Sequence, residues 1–361
     1  MRLTRVNMWL MKTGARSAFV IFLVLQVASA QSSAAPPSSA DANRLPGLIH
    51  SVQLALERED WLTAAHIATE AHEIQSGSGR LAFTAACAYA RAQRDDEALA
   101  WLTTAAGEGY SNAQYLERSS CFADLRDHEG YISAREEIWQ ARDERFDRFV
   151  ELAQNAETLV YVPRGLDADT SAPLLVVLHG RGGRGAAIGR AWRHAAENMK
   201  LVLVAPDSLH LLGAGYQWTY LDEAEYVVDQ AIKAAAARHP IDESNIVLSG
   251  FSQGASIALQ LGLQHPERFP SVISWAGPWD VSMLPMGFVD KADNADERMN
   301  QRVYLLVGTQ DRLAHESAEA YRALKEYGVS CELRTLNGLG HAIPRNPLKT
   351  ELRALRFVMR E

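Results

Sequence analysis

The chain has 361 residues, of which 47% are hydrophobic and 22% charged, and a formal net charge of -8. This composition excludes a disordered or fibrous chain, and the length points to two domains rather than one. The acidic balance argues against nucleic acid as a partner, because a phosphate backbone requires a basic surface.

Arg2, Arg5, Lys12 and Arg16 precede an apolar run over residues 18–27 that ends at Ala28-Ser29-Ala30. This reads as a secretory signal with a small-residue cleavage site. The run is shorter than the ~18 apolar residues needed to cross a bilayer, so export to the periplasm or medium is expected, with no stable membrane span. Cleavage removes residues 1–30 and makes Gln31 the new N-terminus. No Cys follows the cleavage site, so a lipid anchor is not indicated. The remainder carries 32 Lys and Arg against 44 Asp and Glu. Residues 31–43, rich in Ser, Ala and Pro, are expected to form a disordered leader.

Residues 44–148 read as helical throughout and contain an internal echo. Ala64, Ala68 and Ala71 recur as Ala98, Leu102 and Ala105, and Ala55 recurs as Tyr89. Small residues at these spacings let antiparallel helices approach closely, while the larger partners fill the gaps. With this 34-residue period and the run DDEALAWL opening a second helix, the domain resembles the tetratricopeptide repeat family. A third copy near Ile132 is degenerate, and a generic helical hairpin bundle is the other reading. The resemblance implies a protein partner for this domain. Three cysteines, Cys87, Cys121 and Cys331, cannot all pair within one chain. A Cys87–Cys121 bridge is open to them in an oxidising compartment, but the expectation is small buried thiols.

Residues 149–361 change texture to short β-rich runs separated by helices, which signals a mostly parallel sheet covered on both faces. Strands are predicted over 158–162, 174–179, 201–205, 245–249, 272–275, 303–307 and 332–335. Helices are predicted over 223–238, 255–264, 316–327 and 349–359.

The strand over 245–249 runs straight into Gly250-Phe251-Ser252-Gln253-Gly254 and then a helix. This is GxSxG in the strand–turn–helix context that exposes a nucleophilic serine. The flanking glycines suit a turn too sharp for side chains, and the helix N-terminus favours developing negative charge. A serine needs an imidazole to accept its proton and a carboxylate to orient that imidazole. Asp311 and His341 each follow a later strand, in the order acid then base; Asp280 is the rival acid. The predicted oxyanion donors are the backbone N–H groups of Gln253 and Arg181, with Gly182 in reserve. His179 is expected to pin the loop that carries them.

That loop also spells GxGxxG over residues 180–185, and Asp207 ends the next strand. In isolation this matches a dinucleotide-binding fingerprint. The strand before it does not open the fold, Pro206 precedes the supposed ribose ligand, and Ser252, Asp311 and His341 would become coincidences. No cofactor is therefore expected. No metal is expected either, since His315-Glu316 lacks HExxH spacing.

With PLLVVLHGRGG, NIVLSGFSQGASIAL, HPERFPSVISWAG, VYLLVGTQD and NGLGHAIP in place, residues 150–361 resemble the phospholipase/carboxylesterase branch of the α/β-hydrolases. That branch also contains relatives of feruloyl esterases and polyhydroxybutyrate depolymerases. The resemblance implies hydrolysis of small-molecule carboxylic esters or thioesters, with Ser252, Asp311 and His341 as the triad. Two features depart from it: the helical domain in front, and the basic loop containing Arg181 and Arg184, which could suit an acidic substrate. Trp218, Trp275, Trp279, Met283, Met286 and Phe288 concentrate apolar bulk near the strand ends, and Trp218 and Trp279 are the candidate substrate-binding residues. A serine peptidase of the same fold and a non-catalytic adaptor with a hydrolase-like scaffold are the alternatives.

Overall fold

The computed structural model describes residues 39–153, 156–279 and 300–360. The signal segment lies outside the described residues, as do Asp280, Met283, Met286 and Phe288. The chain divides into two compact units, Met1–Asp147 and Arg148–Glu361.

In the first unit, helix α1 (Ser39–Glu57) is followed by α2 (Trp61–Ile74), α3 (Gly79–Arg91), α4 (Asp95–Gly107) and a short α5 (Ala113–Arg118). A 3-10 turn (Ser120–Leu125) then leads to α6 (Glu129–Ala153), whose residues from Arg148 onward belong to the second unit. Helix α1 begins inside the stretch 31–43 that was expected to lack structure. The segment from Ser39 to Arg44 contains no Gly or Pro and extends a helix whose later turns bury Val52, Ala55 and Leu56, so tertiary packing outweighs local composition. Asp60 and Ser78 cap α2 and α3 by accepting from the N–H groups of Thr63 and Leu81.

The sequence echo appears as a repeated turn. After α1, Glu59 takes φ 57° and Asp60 N–H bonds to Ala55 O; after α3, Gln93 takes φ 58° and Arg94 N–H bonds to Tyr89 O. Ala64, Ala68, Ala71, Ala98, Leu102 and Ala105 are all fully buried between the helices. Cys87 on α3 and Cys121 in the 3-10 turn are joined by a disulfide, with Cα atoms 5.4 Å apart. The expectation of free thiols fails for this pair, because the turn at Ser119 brings Cys121 against α3; Cys331 remains a buried free thiol.

In the second unit the strands are β1 (Thr158–Tyr161), β2 (Ala172–Leu178), β3 (Val202–Pro206), β4 (His210–Leu212), β5 (Gly215–Gln217), β6 (Ile241–Phe251), β7 (Ser271–Trp275), β8 (Arg302–Gly308) and β9 (Ser330–Leu336). Seven form one sheet in the order β1-β3-β2-β6-β7-β8-β9. Only β1 is antiparallel to its neighbour; every other pair in this sheet is parallel. Strands β4 and β5 form a separate hairpin.

Side chains alternate between two cores, as the period of a strand requires. Val176, Leu178, Val204 and Leu248 face α8 (Leu221–Ala236) and α9 (Gln253–Gln264). Leu175, Val177, Leu203, Val247 and Ile273 face α7 (Gly185–Met199) and α11 (Leu348–Met359). Helix α10 (Ala314–Glu326) packs on β8 and β9. This mostly parallel, two-sided arrangement is the α/β-hydrolase fold. Helix α7 was not predicted, since its glycine-rich start reads as loop. Yet Gly185 and Gly189 are what let it lie close to β3: a Cβ at Gly185 would collide with the carbonyl of Ala205.

Candidate active site

Strand β6 ends at Phe251 and α9 starts at Gln253, so a single residue makes the reversal. That residue, Ser252, is held at φ 53° and ψ -120°, a conformation costing a non-glycine residue about 1–3 kcal/mol. The surroundings enforce it. A Cβ at Gly250 would meet the backbone of Gly254, and a Cβ at Gly254 would meet the carbonyls of Leu178 and His179. Ser252 N–H donates to Trp275 O at 2.8 Å, which fastens the turn to β7.

The strained turn aims the hydroxyl at His341. Ser252 Oγ lies 2.8 Å from His341 Nε2, and His341 Nδ1 lies 2.9 Å from Asp311 Oδ2. With Nδ1 donating to the carboxylate, Nε2 is left as acceptor for the serine hydroxyl. Asp311 is fully buried at its side chain, whereas His341 retains 29% exposure and Ser252 is half-buried, so the chain leads outward from the interior. The second carboxylate oxygen of Asp311 accepts from Leu313 N–H at 2.9 Å.

The loops bearing acid and base are also tied to each other. Gln310 N–H donates to Leu339 O at 2.9 Å, Thr309 N–H donates to Leu336 O at 3.0 Å, and Thr309 Oγ1 accepts from Gly338 N–H at 3.0 Å. Gly308 has no room for a side chain because the backbone of Leu339 passes against it. The Phe251 ring lies 5.1 Å from the His341 ring and limits how that imidazole can turn. Asp280, the rival acid, lies outside the described residues.

The loop after β2 lies directly beside the serine: a Cβ at Gly180 would be 3.3 Å from Ser252 Cβ. His179 pins it, as expected. Its Nε2 accepts from Ser208 N–H at 3.1 Å and its Nδ1 donates to Gly180 O at 2.8 Å. Burial holds this imidazole below the usual histidine range, in keeping with a neutral ring whose two nitrogens play different parts.

Among the described residues, neither Arg181 N–H nor Gln253 N–H donates to a backbone carbonyl. Gly182 corrects the expectation that it could substitute. Its N–H donates to Tyr216 O at 2.7 Å, because the β4–β5 hairpin docks on this loop.

Trp218 is also corrected. It is 2% exposed, stacks on His179 at 4.9 Å, and donates from Nε1 to His179 O at 2.8 Å. The Gln253 side chain clasps its backbone, accepting from Trp218 N–H at 3.0 Å and donating to Trp218 O at 2.7 Å. Trp218 is therefore a strut under the loop and has no free face for a substrate. Trp279 is likewise buried, and its N–H donates to Glu316 at 3.0 Å. The Gln253 clasp has no sequence signature, since any residue can occupy the fourth position of GxSxG.

The dinucleotide fingerprint is satisfied otherwise. Asp207 Oδ1 accepts from Gly185 N–H at 2.5 Å at the start of α7, where a pyrophosphate would have to sit. Arg184 is held by the scaffold: its Nε donates to Ala214 O at 3.0 Å and its guanidinium lies over Tyr216.

The family model described as "Putative esterase" matches residues 150–336, just over half of the chain, and the chain belongs to this Esterase family. The chain is 30% identical over 119 residues to "Putative esterase NocK" of Nocardia uniformis subsp. tsuyamanensis, covering 29% of this chain and 33% of that one. It is 30% identical over 127 residues to "Carboxylesterase SOBER1" of Arabidopsis thaliana, covering 34% of this chain and 50% of that one. The chain thus spans between a third and a half of the length of the curated relatives it matches. Among solved structures it is similar to esterase PE8, with a TM-score of 0.44 and 24% identity over 56% of this chain and 99% of that one.

Proposed function

We propose that the chain hydrolyses carboxylic esters or thioesters through an acyl-enzyme on Ser252. The carrying observation is the continuous chain from Ser252 Oγ to His341 to the buried Asp311, built on a strained turn. Ser252 Oγ attacks the ester carbonyl as His341 Nε2 takes its proton, and Asp311 stabilises the resulting imidazolium. The oxyanion is received by the N–H groups of Arg181, in the loop after β2, and of Gln253, at the start of α9, where the helix dipole also favours negative charge. Collapse expels the alcohol or thiol, which takes the proton from His341. Water then repeats the sequence on the acyl-serine and releases the acid.

Several features support export. The N-terminal segment has the order of a secretory signal, and the Cys87–Cys121 bridge suits an oxidising compartment. Among the described residues no helix is long and apolar enough to cross a membrane. The helical unit is read as tetratricopeptide-like, on the strength of its repeated turn and buried alanines, and as the seat of a protein partner.

The test is turnover of short-chain aryl esters by the purified chain and by Ser252→Ala. The wild type should hydrolyse them and Ser252→Ala should fall to background. Turnover retained by Ser252→Ala would overturn the mechanism, and an intact wild type inert to esters would favour the adaptor reading. Hydrolysis of matched aryl amides at a comparable rate would favour a peptidase.

A further inference from the structure

Three buried polar groups outside the site lie on one face of the sheet: Ser249 Oγ, Trp275 Nε1 and the Glu351 carboxyl. None of their polar side-chain atoms has a hydrogen-bond partner among the described residues. Ser249 and Glu351 are fully buried and Trp275 is 1% exposed. Native interiors seldom leave such groups unpaired, and each one that stays so costs about 1–3 kcal/mol.

The register places them together. Ser249 pairs with Ile273 and Phe251 with Trp275, so Ser249 and Trp275 are diagonal neighbours on the face covered by α7 and α11. Glu351 shares the buried stripe of α11 with Ala354, Leu355 and Val358, and so points at that same face. Helix α11 runs antiparallel to the strands: Ser271 Oγ at the start of β7 donates to Val358 O at 2.9 Å, while Arg353, five residues earlier on the helix, reaches Glu332, which is level with Tyr304 and Ile273 further along the strands. From Val358 back to Glu351 the helix climbs about 10 Å at ~1.5 Å per residue. The strand covers that in about three residues at ~3.3 Å each, which sets Glu351 level with Ser274.

These groups belong to the elements that hold the reactive pair. Ser249 is on the strand that ends in Ser252, Trp275 supplies the carbonyl that binds Ser252 N–H, and Glu351 is on the helix that follows the His341 loop. Their chemistry also matches. A neutral carboxyl has a donor and an acceptor, the serine hydroxyl has both, and the indole is a donor only. One enclosed water needs two to four such partners.

We propose that Ser249, Trp275 and Glu351 form an internal water site behind the nucleophile turn, and that Glu351 is a positioning residue for Ser252 and His341, acting through that water. The positioning role rests on the serine-hydrolase reading; the water site does not. The water accepts from Trp275 Nε1–H and donates to Glu351 and Ser249, joining the two elements that must keep Oγ and Nε2 at bonding distance. Burial without a counter-charge pushes the carboxyl's pKa up to about 8, which favours its protonated form at neutral pH.

A high-resolution crystal structure of the full chain, together with kinetics of Glu351→Gln, Glu351→Leu and Ser249→Ala, tests this. Expected are an ordered water within hydrogen-bond distance of Glu351 and at least one of the other two groups, and near-normal kcat for Glu351→Gln. Glu351→Leu and Ser249→Ala should lose roughly tenfold or more in kcat with KM unchanged, as a small misplacement of reacting atoms does. A dry site, or wild-type kcat in a folded Ser249→Ala or Glu351→Leu, would overturn the proposal. Should Glu351→Leu not fold, Ser249→Ala and the crystal structure still decide it. A wild type without esterase turnover would instead count against the serine-hydrolase reading, and the water density would still report on the site.

Discussion

Asp311 and Glu351 are both buried carboxyls, and their surroundings give them opposite chemistry. Asp311 accepts from His341 Nδ1–H and Leu313 N–H, so its negative charge is supported. Asp311→Asn keeps the shape but reverses the tautomer of His341, and kcat should fall by about 10³–10⁴ while KM changes little. Among the described residues Glu351 has no such partners. The titratable groups near α11 engage one another instead: Tyr304 donates to Glu332 at 3.2 Å, and Arg353 pairs with that same glutamate at 2.7 Å. A carboxyl whose folded pKa is raised holds its proton after the unfolded chain has lost it. Its stabilising effect is present in full below the unfolded pKa and is lost as pH rises through the folded value of about 8. Wild-type stability should therefore decline across that window, by at most about 1.4 kcal/mol per pH unit, and Glu351→Gln should flatten the decline. Urea titrations at several pH values provide the measurement. The sequence showed Ser252 and Asp311 because each follows an apolar strand, and His341 because it ends the glycine-rich loop after the next strand. It could not show Glu351, which looks like an ordinary charge on an amphipathic helix until its face is known.

The elements that build the site were legible wherever apolar runs were long. Strands β2, β3, β6, β7 and β8 announced themselves because both of their faces are buried. Helix α7 and the β4–β5 hairpin did not, since both are rich in glycine and depend on close packing against neighbouring backbone. The hairpin explains the miss at Gly182: its N–H is taken by Tyr216, a partner no local pattern reveals. The buried Trp218 has a similar cause, as an aromatic near strand ends reads equally well as pocket wall or strut. The tightness of the elbow yields its own prediction. Gly254→Ala would drive a methyl group into the carbonyls of Leu178 and His179, where backbone rather than a movable side chain blocks it. The variant should lose at least about 2 kcal/mol of stability, measured as a lower urea midpoint, along with most of its turnover.

At the scale of the whole chain, two units of different architecture are joined in one sequence, and they answer to different constraints. The helical unit is alanine-rich and stapled by Cys87–Cys121, which closes a span of 34 residues. Replacing both cysteines by serine should destabilise that unit by about 3–4 kcal/mol, seen as faster amide exchange across α3 and the 3-10 turn, with ester turnover preserved. The second unit contains the family match and the candidate nucleophile Ser252, so the central claim is tested there. The most direct measurement is the intact mass of the chain after exposure to a fluorophosphonate, followed by mapping of the modified peptide. A single adduct on Ser252, absent in Ser252→Ala and strongly slowed in His341→Ala, is the predicted result; an unmodified wild type, or an adduct on any other residue, would contradict it.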